Sequence, residues 1–211
     1  METTVRPVPI DADLDRMLAG MITRRRLLLG AVGLAATGRA AAEVPDIWER
    51  LRKGGLTIFM RHASTEPGLG DPPGFKLTDC KTQRNLSERG RDESRRVGAR
   101  FKAENIPVAR VLTSPWCRCR ETAMLAFGRA EDWEPLSSIF DFPHNEPDFT
   151  DRVKKRIAGY ARRNPGGNVV MVTHSVNIAA VAGVTLEEAE MLVMRPDGCC
   201  GARSVERLKV A

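Results

Sequence analysis

Two short apolar runs, more than a hundred residues apart, each end in a histidine. Leu56-Thr57-Ile58-Phe59-Met60 leads into Arg61-His62, and Asn168-Val169-Val170-Met171-Val172-Thr173 leads into His174. Gly54-Gly55 precede the first run and Pro165-Gly166-Gly167 the second. Runs this short, apolar on both alternating faces, read as strands buried from both sides. Strands of that kind belong to parallel sheets, which bind ligands off the carboxyl ends of their strands. Arg61, His62 and His174 are therefore expected at one sheet edge.

The segments between these runs carry helical signals. Asp46–Lys53 reads as a short helix stopped by Gly54-Gly55. Ser87 is a candidate N-cap for a helix that ends at Asn105-Ile106-Pro107. Arg110–Thr113 reads as another strand. It is followed by a helix with Pro115 in its first turn, running to about Phe127. Residues 135–148 read as irregular, Phe149–Arg163 and Val176–Ala182 as helices, and Glu190–Arg195 and Val205–Val210 as two closing strands. The alternation predicts an α/β domain with a mostly parallel sheet. Glu66–Asn85 is a long polar loop, a kind that is usually functional in a compact domain.

Residues 1–42 read as an address, with the domain proper spanning 43–211. Arg24-Arg25-Arg26 precede the apolar stretch Leu27–Ala36, and Ala40-Ala41-Ala42 offers a cleavage site. The stretch is about half of the roughly 20 residues that span a bilayer. Paired arginines before leucines resemble a twin-arginine export signal; a Sec signal or an uncleaved anchor are the alternatives. Cleavage near Ala42, a periplasmic or secreted product and the export machinery as a transient partner are the expectations. The acidic, Pro-containing segment before Met21 looks like no signal, so Met21 competes with Met1 as the start.

Export places the cysteines where they can pair. Cys80 is expected to bridge to Cys117 or Cys119, while the neighbours Cys199 and Cys200 are poorly placed to bond each other. The Cys-x-Cys spacing gives no zinc pattern.

Outside the signal-like segment the chain carries 27 Lys/Arg against 23 Asp/Glu. That mild excess suits a small anion and makes no nucleic-acid footprint. Aromatics are only 5% of residues, too few for a base-stacking surface.

His62, His174, Arg61 and, at the head of the helix after the Arg110–Thr113 strand, Arg118 converge if the strands are parallel. Ser114 and the nearby helix N-terminus would add donors. Two guanidinium forks and two imidazoles around one point describe a phosphate site. The same residues carry a resemblance. Arg61-His62-x-x-Thr65, Leu86-Ser87-x-x-Gly90, Ser114-x-x-x-Arg118-x-x-x-Thr122-Ala123 and Thr173-His174 resemble, in order and spacing, the histidine phosphatase superfamily. Asp79-Cys80-x-Thr82-Gln83-Arg84-Asn85-Leu86-Ser87 and His174-Ser175-Val176-Asn177-Ile178 resemble an exported subgroup of it.

The resemblance implies a three-layer phosphoglycerate-mutase-like fold with helices on both faces of the sheet. It implies a phosphomonoester hydrolase that needs no metal or cofactor. His62 would be the nucleophile, with Arg61, Arg118 and His174 around the phosphoryl group. Thr65, Ser114 and Asn177 are candidate substrate-binding residues. The superfamily's usual acid, a Glu in Leu-x-Glu, is absent: the corresponding stretch reads Leu136-Ser137-Ser138. Asp141 and Glu146 are the candidates for that role. A substrate in the exported compartment is expected. The alternative is a weakly catalytic phosphate-binding or envelope interaction protein of the same fold. A metal hydrolase using His62, His144 and His174 is disfavoured, because Arg61 and Arg118 would repel the ion.

Overall fold

The computed structural model describes residues 46–163, 166–197 and 202–210. The signal-like segment, its cleavage near Ala42, the choice of Met1 or Met21, and Cys199-Cys200 lie outside the described residues. Among the described residues no helix is long and apolar enough to cross a membrane.

Strand β1 (Thr57–Arg61) sits in the middle of a six-stranded sheet. It pairs in parallel with β4 (Asn168–Thr173), which pairs in parallel with β2 (Val108–Thr113). A two-residue strand, β3 (Glu131–Asp132), extends the parallel edge. On the other side β5 (Met191–Pro196) and β6 (Ala202–Leu208) add two antiparallel strands, giving the order β3-β2-β4-β1-β5-β6. β3 has no sequence signal, because its two residues are both charged and exposed.

Alternation along the strands divides the core in two, as period-2 side chains must. Ile58, Met60, Val170 and Val172 pack under α1 (Ile47–Lys53), α2 (Glu88–Ala103) and α3 (Cys117–Phe127). Phe59, Val169 and Met171 face the other way, against α4 (Glu146–Arg163) and α5 (Ser175–Ala182). Both faces of β1 and β4 are covered, which is why their sequences are apolar throughout rather than alternating. The result is the three-layer α/β arrangement expected from the sequence, with a mixed sheet whose parallel part holds four strands.

Several boundaries differ from expectation. Trp116 caps α3, so Pro115 lies outside the first turn. The last two strands are shifted toward Met191–Pro196 and Ala202–Leu208. Helix α4 begins at Glu146, with Pro147 accepted near its start, where a missing N–H costs nothing. The Ser87 cap holds: its hydroxyl accepts from the Gly90 N–H at 3.2 Å.

Gly90 has a second role. A Cβ there would lie 1.9 Å from the Ser64 carbonyl oxygen, so only glycine lets α2 approach the chain just after His62.

Candidate active site

The register delivers the two histidines to one place. Arg61 stands opposite Thr173 in the β1–β4 pairing, and the His62 N–H donates to the Thr173 carbonyl at 3.0 Å. His62 and His174, the next residues along each strand, therefore leave the sheet side by side. Their ring centroids are 5.4 Å apart and each is 4% exposed. Arg118 reaches the same point from the first turn of α3 and is 3% exposed. With Arg61 and Arg84 these residues line a cavity of about 120 Å³; Ser138, Asp141 and Ser175 complete its polar wall.

Each member is held from behind. The His62 Nδ1–H donates to the Ala63 carbonyl at 3.0 Å. A carbonyl can only accept, so the proton of the neutral ring is on Nδ1 and the lone pair is on Nε2. His174 Nε2 pairs with Ser114 Oγ at 2.9 Å. The Thr122 hydroxyl accepts from the Ala63 N–H at 3.1 Å and donates to the Arg118 carbonyl at 2.7 Å, joining the loop after β1 to the arginine's helix. Arg61 Nη1 donates to the Leu186 carbonyl at 2.9 Å.

Two residues absent from the sequence-based site complete it. Asp71, in the long loop, accepts from Arg118 Nη1 at 2.9 Å on both oxygens, from the Arg84 N–H at 2.7 Å and from Trp116 Nε1 at 2.9 Å. Burial pushes its carboxyl up, but the Arg84 N–H and Arg118 outweigh this and hold it below its ordinary value. Arg84 donates from Nη1 to Thr65 Oγ1 and to the Gly68 carbonyl, both at 2.8 Å. Burial, and after it the Arg118 charge, lowers the Arg84 guanidinium from its ordinary value. Cys80 and Cys117 form a disulfide that ties this loop to the start of α3. Gln83 reinforces the tie by accepting the Cys117 N–H at 3.0 Å.

The sequence-based candidates sort cleanly. Arg61, His62, Arg118, His174 and Asp141 line the cavity. Glu146 does not; it lies in the first turn of α4 and accepts from Thr150 Oγ1 at 3.2 Å. Thr65, Ser114 and Asn177 are also not on the wall and instead hold residues that are. Thr65 anchors Arg84 and Ser114 orients His174. Asn177 donates to the Ser137 carbonyl at 2.7 Å and accepts from the Ile139 N–H at 3.4 Å, pinning the segment before Asp141. His144 packs on Phe142 and is not on the cavity wall. Among the described residues no three His, Cys, Asp or Glu are grouped to hold a metal ion. Among the described residues the free thiol is Cys119, buried 3.7 Å from His174 Nε2, and burial pushes it up to about 12, so it stays un-ionised.

Burial, chiefly, and the three arginines pull His62 down to about 3; burial and the neighbouring His62 likewise hold His174 well below its ordinary value. Both rings are therefore neutral in the folded protein and titrate near 6.5 when unfolded. Below that value the unfolded chain binds more protons, so stability falls as pH drops, from about 6.5 down to about 3 for His62. Between about pH 6.5 and pH 5 His62 should account for roughly 2 kcal/mol of lost stability. Urea unfolding across that interval should show the loss, and a His62→Gln chain, with nothing to protonate there, should show a shallower slope.

Four of these buried atoms have no protein hydrogen-bond partner: the Nε groups of Arg61, Arg84 and Arg118, and Asp141 Oδ2. Their four residues all line the cavity with His62, so three guanidiniums and one carboxyl stand around an imidazole whose lone pair is on Nε2. Such a set can hold a tetrahedral oxyanion and move a proton beside it.

No curated protein matches the chain in sequence. Its fold is similar to that of the open reading frame Rv3214 product of Mycobacterium tuberculosis, with a TM-score of 0.54 at 14% identity over 74% of this chain and 98% of that one. It is also similar to phosphoserine phosphatase of Entamoeba histolytica in complex with 3-phosphoglyceric acid, with a TM-score of 0.53 at 14% identity over 72% and 95%. Residues 57–139 match the histidine phosphatase superfamily (branch 1), and the described chain shares the α/β fold of these two solved structures.

Proposed function

We propose that this chain hydrolyses phosphomonoesters through a phosphohistidine formed on His62. One observation carries the reading: the guanidiniums of Arg61, Arg84 and Arg118 line one small cavity with His62, whose ring keeps its lone pair on Nε2. Three guanidiniums beside one cavity repel one another, and a phosphoryl dianion is a ligand that offsets this while matching their planar forks. Phosphoryl transfer demands positioning and charge stabilisation above all, and the arginines supply both without a metal.

In the first step His62 Nε2 attacks phosphorus and the bond from phosphorus to the ester oxygen breaks. The departing oxygen takes a proton from the Asp141 carboxyl. The Nδ1–H bond to Ala63 steadies the positive charge that the ring acquires. In the second step water attacks phosphorus, Asp141 recovers the proton, the N–P bond breaks and inorganic phosphate leaves. Asp141 takes the role of acid over Glu146 because it lies on the cavity wall with a buried, unpartnered oxygen.

The signal-like segment supports export, and with it a periplasmic or secreted substrate. The disulfide is in keeping with an oxidising compartment.

The test is chemical trapping. Protein mixed with p-nitrophenyl phosphate and stopped in alkaline denaturant, which spares the acid-labile N–P bond, should carry one phosphoryl group on the peptide containing His62. Turnover with label on another residue, or with no label at any time, rejects the phosphohistidine route. Phosphate binding with no turnover of any ester favours the binding-protein alternative.

A further inference from the structure

Four large apolar side chains are exposed among the described residues: Leu69, Met124, Phe140 and Val176. Scattered singly, such residues need no explanation. Three of these four, however, stand around the mouth of the one cavity described above. Leu69 is 89% exposed, Phe140 55% and Val176 37%. They come from three separate places in the chain: the long loop, the segment after Ser138, and the first turn of α5.

The mouth is built rather than incidental. Gly70, at φ +69, lets the loop turn beside Phe140, and a Cβ there would come 3.3 Å from Phe140 Cε1. The ring thus rests against the loop backbone next to Leu69. The nearby Ser175 hydroxyl is already given to the Leu186 carbonyl at 3.2 Å. The floor is cationic and the rim is apolar.

From this layering we infer that the substrate is a phosphomonoester of an apolar alcohol. The inference rests on the phosphomonoester reading above and adds the leaving group. The cavity of about 120 Å³ falls well short of the roughly 300–1,000 Å³ that encloses a drug-sized ligand. It takes the phosphoryl group and the first atoms of the ester, so the rest of the alcohol lies on the rim. An alkyl or aryl group there covers Leu69, Phe140 and Val176 and removes apolar surface from water. A sugar or glycerol group would leave those side chains wet and would meet few free polar partners.

Phosphonates test this without needing turnover, because their C–P bond is not hydrolysed. Hexylphosphonate and 2,3-dihydroxypropylphosphonate would be titrated calorimetrically into the oxidised full chain. Hexylphosphonate should bind at least tenfold tighter. In Leu69→Ser/Phe140→Ser the ratio should fall toward one, and each single variant should lower it in part. A ratio near one in the unaltered chain, or binding of neither compound, overturns the inference. So does a high ratio that the variants leave untouched, since the alcohol would then sit elsewhere. Trapping on His62 reads the phosphatase proposal separately, so a phosphatase indifferent to the alcohol and an apolar-phosphonate binder without turnover are told apart.

Discussion

His62→Ala is expected to lower kcat on p-nitrophenyl phosphate by on the order of 10⁴-fold or more, the scale on which loss of a covalent nucleophile is felt. The expectation follows from what the substitution removes and what it leaves. It removes the Nε2 lone pair identified by the Nδ1–H bond to Ala63. It leaves Arg61, Arg84 and Arg118, whose guanidiniums supply most of the charge around the cavity. Inorganic phosphate should therefore still bind, within about tenfold of its original affinity. A split of that kind between binding and turnover marks a group used only in the reaction. The site is buried, so a truncation there can also loosen the fold; His62→Gln keeps more of the volume and should be equally inactive. Turnover surviving in both variants would mean that another group attacks phosphorus.

Asp141→Asn should divide substrates by their leaving groups. An alkyl phosphate needs its departing oxygen protonated, and loss of a positioned acid costs about 10²–10⁴-fold. p-Nitrophenolate leaves without much help, so its rate should fall by less than about tenfold. Glu146→Gln should show no such split, because that carboxylate is engaged with Thr150 in α4 and is not on the cavity wall. Steady-state rates on the two ester types, measured for both variants, decide between the carboxylates. Equal losses on both esters for Asp141→Asn would assign Asp141 to binding instead.

The contrast between those carboxylates shows where sequence reasoning stops. Periodicity and residue class were enough to place β1 and β4, and the parallel register then brings His62 beside His174 with no further information. Arg118 at the head of the helix after β2 was legible too, since the strand and the helix both had sequence signals. Asp141 and Glu146 could not be ranked, because the difference between them is whether α4 begins at Glu146 or later. That boundary depends on Pro147 being tolerated in a first turn. Thr65, Ser114 and Asn177 look like ligands in a linear motif, since the motif records that they are needed but not which way they face. Each bonds to a neighbour of the cavity instead. Arg84 and Asp71 were missed for a different reason. They sit in a loop without periodicity, and only the folded loop brings Asp71 to Arg118. The one sequence clue was the run Gln83-Arg84-Asn85 directly before Leu86-Ser87.

The Cys80–Cys117 bond has a practical corollary for anyone who purifies this protein. Neither sulfur belongs to the sheet, so a preparation treated with dithiothreitol could pass every check of secondary structure and size. Yet the segment that carries Asp71 and Arg84 would then be fastened to Arg118 by noncovalent contacts alone. Specific activity should accordingly be quoted together with a count of titratable sulfhydryls, or two laboratories will disagree about the same chain.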